Sequence, residues 1–385
     1  MARKLEHIAF VTANYPSAQH PYGGMFVQQL VHALAREGTR CSVIHPIAVH
    51  RWLRAGIRKD RSLDIEPEDV PVRVYRPVYP SFSSKQVGPL NTARATQLFF
   101  DRAAWRAVRR LDGTPSVVYG HFLYPGGAAA VHAAKRLGIP SVVAVGEGEF
   151  WTVRPMGFPR AIRDYRDVDA VVAVSSVIKR NLTEDLRIPA EKIGVFPNGA
   201  DLQRFYPRDR QEMRRKLGLP PDGFLVAFVG SFLQGKGADR VGAAIDGLDG
   251  VGGVFAGAGP CKPGGANVLF TGMLSHDQVP ELLSAADVFV LPTLIEGSCN
   301  AIVEAMACGL PIVTSEGEFN DDLVDSSVSI RVDPLDVAAI RAAILRLRDD
   351  AELRREMGHR ARQRALDFDV TLRARRIRSW IAERM

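Results

Sequence analysis

The chain has 385 residues and a formal charge of +7, with 46% hydrophobic and 24% charged side chains. That length is long for one core and comfortable for two, and the composition is that of a soluble globular protein. The four cysteines, Cys41, Cys261, Cys299 and Cys308, form no CxxC pair, which argues against a zinc or disulfide framework and points to reduced thiols.

Short β-branched runs alternate with helical stretches, the pattern of parallel sheets with crossover helices. Strands are expected at 7–11, 40–45, 116–119, 141–145, 170–174 and 192–196. A polar stretch rich in Pro, Arg and Gly, 206–223, precedes a second series at 224–229, 253–256, 268–271, 288–291 and 312–314. The boundary is therefore set near residue 206, giving domains 1–206 and 207–368 and a basic helical tail over 369–385. No apolar run approaches the ~20 residues that span a bilayer. Ile8 to Val11, behind Arg3 and Lys4, is too short for a signal peptide, so a cytoplasmic protein is expected.

Positive charge invites a nucleic-acid or an anionic-surface reading, but no RNP-type strand, zinc finger or basic zipper is present. Three segments concentrate arginine on helix faces. In 51–61, Arg51, Arg54, Arg58 and Arg61 fall opposite Trp52, Leu53, Gly56 and Ile57. In 102–111, Arg102, Arg106, Arg109 and Arg110 face away from Ala104, Val108 and Leu111. The tail 373–378 is the third. A solvated surface is the plain reading of each; a face for peripheral contact with an anionic membrane is the sharper one.

Several motifs carry chemistry. Gly23 and Gly24 precede a helix with Phe26, Leu30, Val31 and Leu34; without Cβ atoms they let a ligand approach a helix N-terminus. His121 follows an apolar strand, at the carboxyl edge where parallel sheets bind ligands, and Glu147 and Glu149 follow another. Gly230-Ser-Phe-Leu-Gln-Gly-Lys236-Gly237 almost spells a P-loop but lacks the final hydroxyl for magnesium, leaving a diphosphate seat with a mobile lysine. Asn198-Gly199 reads as a tight turn with a structural role. Asp167-Val-Asp169 and Asp367-Phe-Asp369 spell DxD and are read as incidental, so no metal or other cofactor is expected.

The densest signal is Glu296-Gly-Ser-Cys-Asn-Ala-Ile-Val-Glu304, entered from the strand Asp287-Val-Phe-Val-Leu-Pro292. A helix is expected from Asn300 through Met306, stopped by Gly309 and Pro311. One carboxylate then lies ahead of a helix and the other about one turn inside it, with unpartnered N–H groups between. That set suits a ligand carrying both phosphate and sugar hydroxyls.

With Glu304-Ala-Met-Ala and Gly309-Leu-Pro-Ile-Val313, this stretch resembles the donor-site signature of the family 4 retaining glycosyltransferases. Tyr22-Gly-Gly24, Gly120-His121, Asp169 through Ser176, Val195-Phe-Pro-Asn-Gly-Ala-Asp201 with Phe205, Lys236-Gly237 and Gly257-Ala-Gly-Pro260 follow the same pattern, in order, over nearly the whole chain. The resemblance implies a GT-B fold, two Rossmann-like α/β domains facing across a cleft, with the last helix crossing back onto the first. It implies transfer of a sugar from a nucleoside-diphosphate sugar to an acceptor hydroxyl, with retention and without a bound metal. The basic faces favour a carbohydrate or lipid-linked acceptor, as in cell-envelope or exopolysaccharide synthesis, with small-molecule glycosylation left open. Under it, Lys236 and the turn at Gly230 hold the diphosphate, and Gly23 and Gly24 face the leaving group. His121 lines the sugar pocket, and Glu147 and Glu149 are acceptor-side candidates. Glu296 with the N–H groups of Gly297, Ser298, Cys299 and Asn300 holds the transferred sugar, Glu304 the ribose, and the backbone of Gly272, Met273 and Leu274 the base. The family often has arginine where this chain has Ser231, and Arg240 is the candidate replacement. A sugar-nucleotide epimerase, a phosphorylase or an inactive sugar-nucleotide-binding subunit on the same architecture stay open.

Overall fold

A computed structural model describes residues 5–17, 23–55, 62–65, 71–82, 86–87 and 90–385. Chain contacts divide it into two compact units, one of residues 1–196 with 371–385 and the other of residues 197–370.

The first unit is built on an eight-stranded sheet. Its middle is His7–Val11, flanked on one side by Val117–His121, Ser141–Val145, Ala170–Ala173 and Ile193–Val195, and on the other by Arg40–Ile44, Pro71–Tyr75 and Ser62–Ile65. All pairs are parallel except that between Ser62–Ile65 and Pro71–Tyr75. The four runs HIAFV, VVYGH, SVVAV and AVVA are buried along their whole length, as expected for strands covered on both faces. Helix Met25–Arg36 buries Val27, Leu30, Val31 and Leu34, a single stripe at helical spacing. Helix Thr92–Val108 starts on Asn91, whose side chain accepts from the N–H groups of Ala93 and Arg94. The strand at Pro71–Tyr75 was not anticipated, because its proline and flanking charges mask an otherwise apolar run.

The last helix, Val370–Ala382, packs within this first unit. The Trp380 and Phe196 rings lie 5.5 Å apart, and a Cβ on Gly194 would sit 2.7 Å from the Trp380 ring. Three of its arginines make contacts within this unit. Arg373 donates to the Phe196 carbonyl (3.2 Å), Arg375 pairs with Glu37 (2.6 Å), and Arg378 reaches the Glu37 carbonyl (3.4 Å). Arg375 and Arg376 nonetheless remain exposed on this helix.

The second unit has a six-stranded parallel sheet in the order Val268–Gly272, Val251–Ala256, Phe224–Val229, Val288–Leu291, Ile312–Ser315, Ser329–Val332. Helix Asn300–Ala307 ends where Gly309, at φ +80°, turns left-handed and Leu310 N–H returns to the Ala305 carbonyl (3.1 Å). Asp287, ahead of its strand, accepts from Leu225 N–H (2.8 Å) and pairs with the buried Arg214 (2.8 Å) and with Arg210 (2.8 Å). That residue is a bolt of the sheet, not a ligand group.

Candidate active site

In the second unit, three loops leave the carboxyl ends of the adjacent strands Val251–Ala256, Phe224–Val229 and Val288–Leu291 and are laced together. Gly230 N–H closes on the Ala256 carbonyl (3.0 Å), and a Cβ on Gly257 would fall 1.9 Å from the Gly230 carbonyl oxygen. Only glycine fits there. Leu294 N–H and the Thr293 hydroxyl both donate to the Gly235 carbonyl (2.8 and 3.2 Å). Arg240 donates to the carbonyls of Gln234 (2.8 Å) and Pro292 (2.9 Å), spanning the same two loops. Its guanidinium thus braces the two loops, and Ser231 is exposed. Gly237, at φ +80°, starts helix Ala238–Ile245 beneath Lys236.

Lys236 and Glu296 form an ion pair across these loops. The sequence reading gave them separate ligand groups; the structure sets their charges side by side. Beyond Glu296 the chain enters helix Asn300–Ala307 through Gly297, Ser298 and Cys299, all buried. Cys299 stands at the N-cap of this helix. Burial pushes its thiol up to about 12, with Glu296 adding to the effect, so it stays protonated. The Ser298 hydroxyl accepts from Asn198 N–H (2.9 Å), and its carbonyl accepts from the Asn198 amide (3.1 Å). The turn read as structural therefore fixes the loop that leads into helix Asn300–Ala307. The Asn300 side-chain carbonyl is buried with no partner among the described residues.

Glu304 lies one turn inside the helix, half-buried, and its carboxyl has no hydrogen bond or ion pair among the described residues. Burial raises it to about 8, against a smaller opposing pull from Arg204. Gly272 ends its strand, with its carbonyl accepting from Gly257 N–H (2.8 Å); Met273 is exposed and Leu274 packs on the core. Leu233, Leu294 and Ile295 are exposed as well, on the same loops as Lys236 and Glu296. These apolar rim residues were not singled out from sequence, since a lone leucine in a loop carries no signal. A cavity of about 310 Å³ at the other end of the helix, lined by Arg208, Arg210, Cys308, His359 and Arg362 among others, holds none of the expected donor residues.

In the first unit, Gly24 has φ +77° and caps helix Met25–Arg36. A Cβ there would meet the Asn14 carbonyl oxygen at 2.4 Å. The space it vacates is taken by the chain's own backbone, a different reason from the ligand access inferred for it. Gly23 lies in the same turn, and Tyr22 lies outside the described residues. Two residues on, Phe26 packs on His121, ring centroids 5.4 Å apart. His121 ends its strand, buried, with Nδ1 lacking a partner among the described residues. Burial first, then the Arg373 guanidinium, hold its pKa down at about 3, so the ring is neutral.

The two acceptor-side candidates part company. Glu149 is exposed and pairs with Arg154 (2.6 Å). Glu147 is buried, accepting from Leu123 N–H (3.2 Å) and from the Thr152 hydroxyl (2.9 Å), with burial raising its pKa to about 7. Neither DxD string gathers ligands. Asp169 accepts from Ser141 N–H (2.8 Å) and hydroxyl (3.0 Å), and Asp167 pairs with Lys135 (2.7 Å). Among the described residues no group of three or more His, Cys, Asp or Glu side chains is placed to hold a metal ion.

Residues 209–364 match the model of glycosyl transferases group 1, and residues 23–204 that of glycosyltransferase family 4. The chain belongs to the family 4 glycosyltransferases. It is 29% identical, over 88% of both chains, to TuaC of Bacillus subtilis (strain 168), named as a teichuronic acid biosynthesis glycosyltransferase. Two solved structures share the fold. Sucrose-phosphate synthase from Thermosynechococcus elongatus superposes with a TM-score of 0.75 at 19% identity, covering 98% of each chain. Anabaena HepE in complex with UDP-glucose superposes with a TM-score of 0.72 at 17% identity, covering 98% of this chain and 99% of that one. The two Rossmann-like units are thus those of the GT-B architecture, and this family 4 member is a glycosyltransferase.

Proposed function

We propose that this glycosyltransferase takes its sugar from a nucleoside-diphosphate sugar and transfers it with retention to a hydroxyl of a glycan or a lipid-linked glycan. The observation that carries the reading is Glu304, a carboxyl without a partner one turn inside the helix that follows the Lys236–Glu296 pair. A carboxyl in that state calls for hydroxyl donors, which a ribose supplies. Lys236 then neutralises charge developing on the leaving diphosphate, aided by the N-terminus of helix Asn300–Ala307. Glu296 and the N–H groups of Gly297–Asn300 take the sugar hydroxyls, and Met273 with the backbone beside it covers the base. Complexes of HepE with a nucleotide sugar and the name of TuaC favour this donor class and glycan synthesis.

The acceptor hydroxyl attacks from the face the leaving group departs, and a donor phosphate oxygen takes its proton, so no protein nucleophile is needed. His121, neutral, borders the transferred sugar, and no metal ion takes part. For peripheral membrane contact the support is in the first unit. Arg102, Arg106, Arg109 and Arg110 are exposed while Ala103, Ala104, Ala107 and Val108 of the same segment are buried, and Leu53 and Leu98 are exposed nearby in sequence to these basic segments. Among the described residues no helix is long and apolar enough to cross a membrane.

The test is to supply candidate nucleoside-diphosphate sugars with and without extracts of glycan acceptors, in excess EDTA, and to follow nucleoside diphosphate. Acceptor-dependent release with an axial product from an axial donor is expected. Conversion of the sugar without release, or complete dependence on an added metal, would overturn the reading.

A further inference from the structure

The turn after the strand Val117–His121 is held in an unfavourable shape. Phe122 has φ +60°, a left-handed conformation that a bulky side chain rarely adopts unless its surroundings impose it. They do so from several sides. The backbone of 126–127 folds so close that a Cβ on Gly126 would meet the His121 carbonyl oxygen at 2.6 Å, and one on Gly127 the Phe122 carbonyl oxygen at 2.5 Å. The Tyr165 hydroxyl donates to the Leu123 carbonyl, and the Tyr124 hydroxyl to Asp164 (2.8 Å). The Leu123 N–H, however, has one partner among the described residues, the buried carboxyl of Glu147, which Thr152 holds in turn.

We propose that Glu147 is a positioning residue for sugar transfer: with Thr152 it clamps Leu123 N–H, keeps Phe122 in its left-handed conformation and so sets the His121 ring against Phe26. The inference rests on the reading of His121 as a site residue. It differs from an acceptor-binding role, because Glu147 is buried with Leu123 and Thr152 already donating to it, whereas His121 Nδ1 next to the turn is left without a partner among the described residues. Burying a carboxyl is unfavourable, and its contacts, to Leu123 N–H and the Thr152 hydroxyl, both hold the turn beside His121, so the geometry of that turn is the gain that explains it.

The experiment compares Glu147→Ala, Glu147→Gln and Thr152→Val, each alone and with His121→Ala. Glu147→Ala is expected to slow transfer and acceptor-free donor hydrolysis in parallel, by about 10- to 100-fold, the effect of a small misplacement at a reacting centre. Donor KM should stay within about twofold, and Glu147→Gln, which keeps an acceptor for Leu123 N–H, should recover to within about threefold of wild type. Thr152→Val, a milder loosening, covers the case in which Glu147→Ala fails to fold. With His121 already removed, Glu147→Ala should change the rate by less than about twofold, since coupled residues are not additive.

A rise in acceptor KM with hydrolysis unchanged would place Glu147 on the acceptor, and multiplicative losses would show that it does not act through His121; either overturns the proposal. The imidazole resonances of His121, assigned from His121→Ala, give a readout that needs no turnover. They should shift in Glu147→Ala and return in Glu147→Gln. Shifted resonances in a protein that releases no nucleoside diphosphate from any sugar nucleotide would sink the transferase reading and leave the clamp standing. Unmoved resonances sink the clamp itself.

Discussion

In each unit an aspartate just ahead of a sheet strand ties that strand to its neighbour. Asp169 takes the N–H and hydroxyl of Ser141, and Asp287 takes Leu225 N–H. The likeness stops there. Asp169 lies at an exposed edge and binds neutral donors, whereas Asp287 is buried against Arg214. The candidate sites differ in the same direction. The second unit leaves ligand-type groups unsatisfied among the described residues: the Glu304 carboxyl and the Asn300 carbonyl. The first unit satisfies the Glu147 carboxyl internally, in holding the shape of one turn, and leaves His121 Nδ1 without a partner among the described residues. The open groups of the second unit are a carboxyl and a carbonyl that call for donors, whereas that of the first is one nitrogen of a neutral ring.

The bolts give the largest contrast. Asp287→Ala strands the Arg214 guanidinium in the core, and breaking a buried pair in this way costs about 3–5 kcal/mol. Asp169→Ala removes hydrogen bonds at an exposed position and should cost on the order of 1 kcal/mol. Differential scanning calorimetry should show the second unit melting early in the first variant and little change in the other. Equal shifts would mean that the two aspartates are the same device.

Lys236→Ala should come next, with turnover falling about 10²- to 10³-fold, the usual scale for losing a group that stabilises transition-state charge. Melting should be unchanged, because Lys236 lies on a loop already held by Arg240, Leu294 and Thr293. Glu296→Ala should depress turnover while leaving affinity for the bare nucleoside diphosphate nearly intact. A Lys236 variant that turns over normally would end the diphosphate assignment.

Glu304→Ala should weaken nucleotide binding by about 1.5–3 kcal/mol, the worth of a hydrogen bond to a charged acceptor. The wild-type affinity carries a pH signature. Free Glu304 titrates at about 8, and ribose hydroxyls donating to it favour the ionised form and lower that value in the complex. Binding then releases a proton, so affinity rises with pH up to about 8 and is level above it. The free protein behaves oppositely. Because its folded pKa is raised, the contribution of Glu304 to stability is present at low pH and lost as pH rises through 8. Calorimetry in buffers of different ionisation enthalpy reads the proton directly, and a pH-independent affinity between 6 and 8 would remove Glu304 from the ribose.

How much of this was legible in the chain follows the same division. Glu296, Asn300 and Glu304 are neighbours in sequence, and a strand–loop–helix pattern alone sets their spacing. Every long strand of the second sheet up to Ile312–Ser315 was legible too, because buried parallel strands are continuous apolar runs. The first unit's site was legible only as separate letters. Nothing in Gly146-Glu-Gly-Glu says that Glu147 turns inward to Leu123 and Glu149 outward to Arg154. Gly24 signalled a tight approach, but the partner is Asn14. Arg240 looked like a spare cation until its carbonyl partners were in view. Tertiary hydrogen bonds decide such roles, and they leave no periodicity to read.

The smallest effects are expected on the first unit's surface, where charge is neither buried nor paired into a site. Helix Thr92–Val108 buries Ala103, Ala104 and Ala107 and leaves Arg102 and Arg106 exposed, with Arg109 and Arg110 exposed just beyond it. Arg102 and Arg109 lie over the rings of Phe99 and Trp105 (5.8 and 6.0 Å), an arrangement that keeps guanidinium groups at the edge of apolar surface. In the second basic segment the structure describes helix Val49–Ala55, with Arg51 and Leu53 exposed, whereas Gly56, Ile57, Arg58 and Arg61 lie outside the described residues. Each basic residue near an anionic surface contributes about 1 kcal/mol, weakened by salt. Changing Arg102, Arg106, Arg109 and Arg110 to Ser should therefore reduce co-sedimentation with anionic vesicles at low salt while transfer to a soluble acceptor continues unchanged. The same substitutions should not touch nucleotide affinity, which belongs to the other unit. No wild-type binding to such vesicles at low salt would break the membrane reading and favour a soluble acceptor.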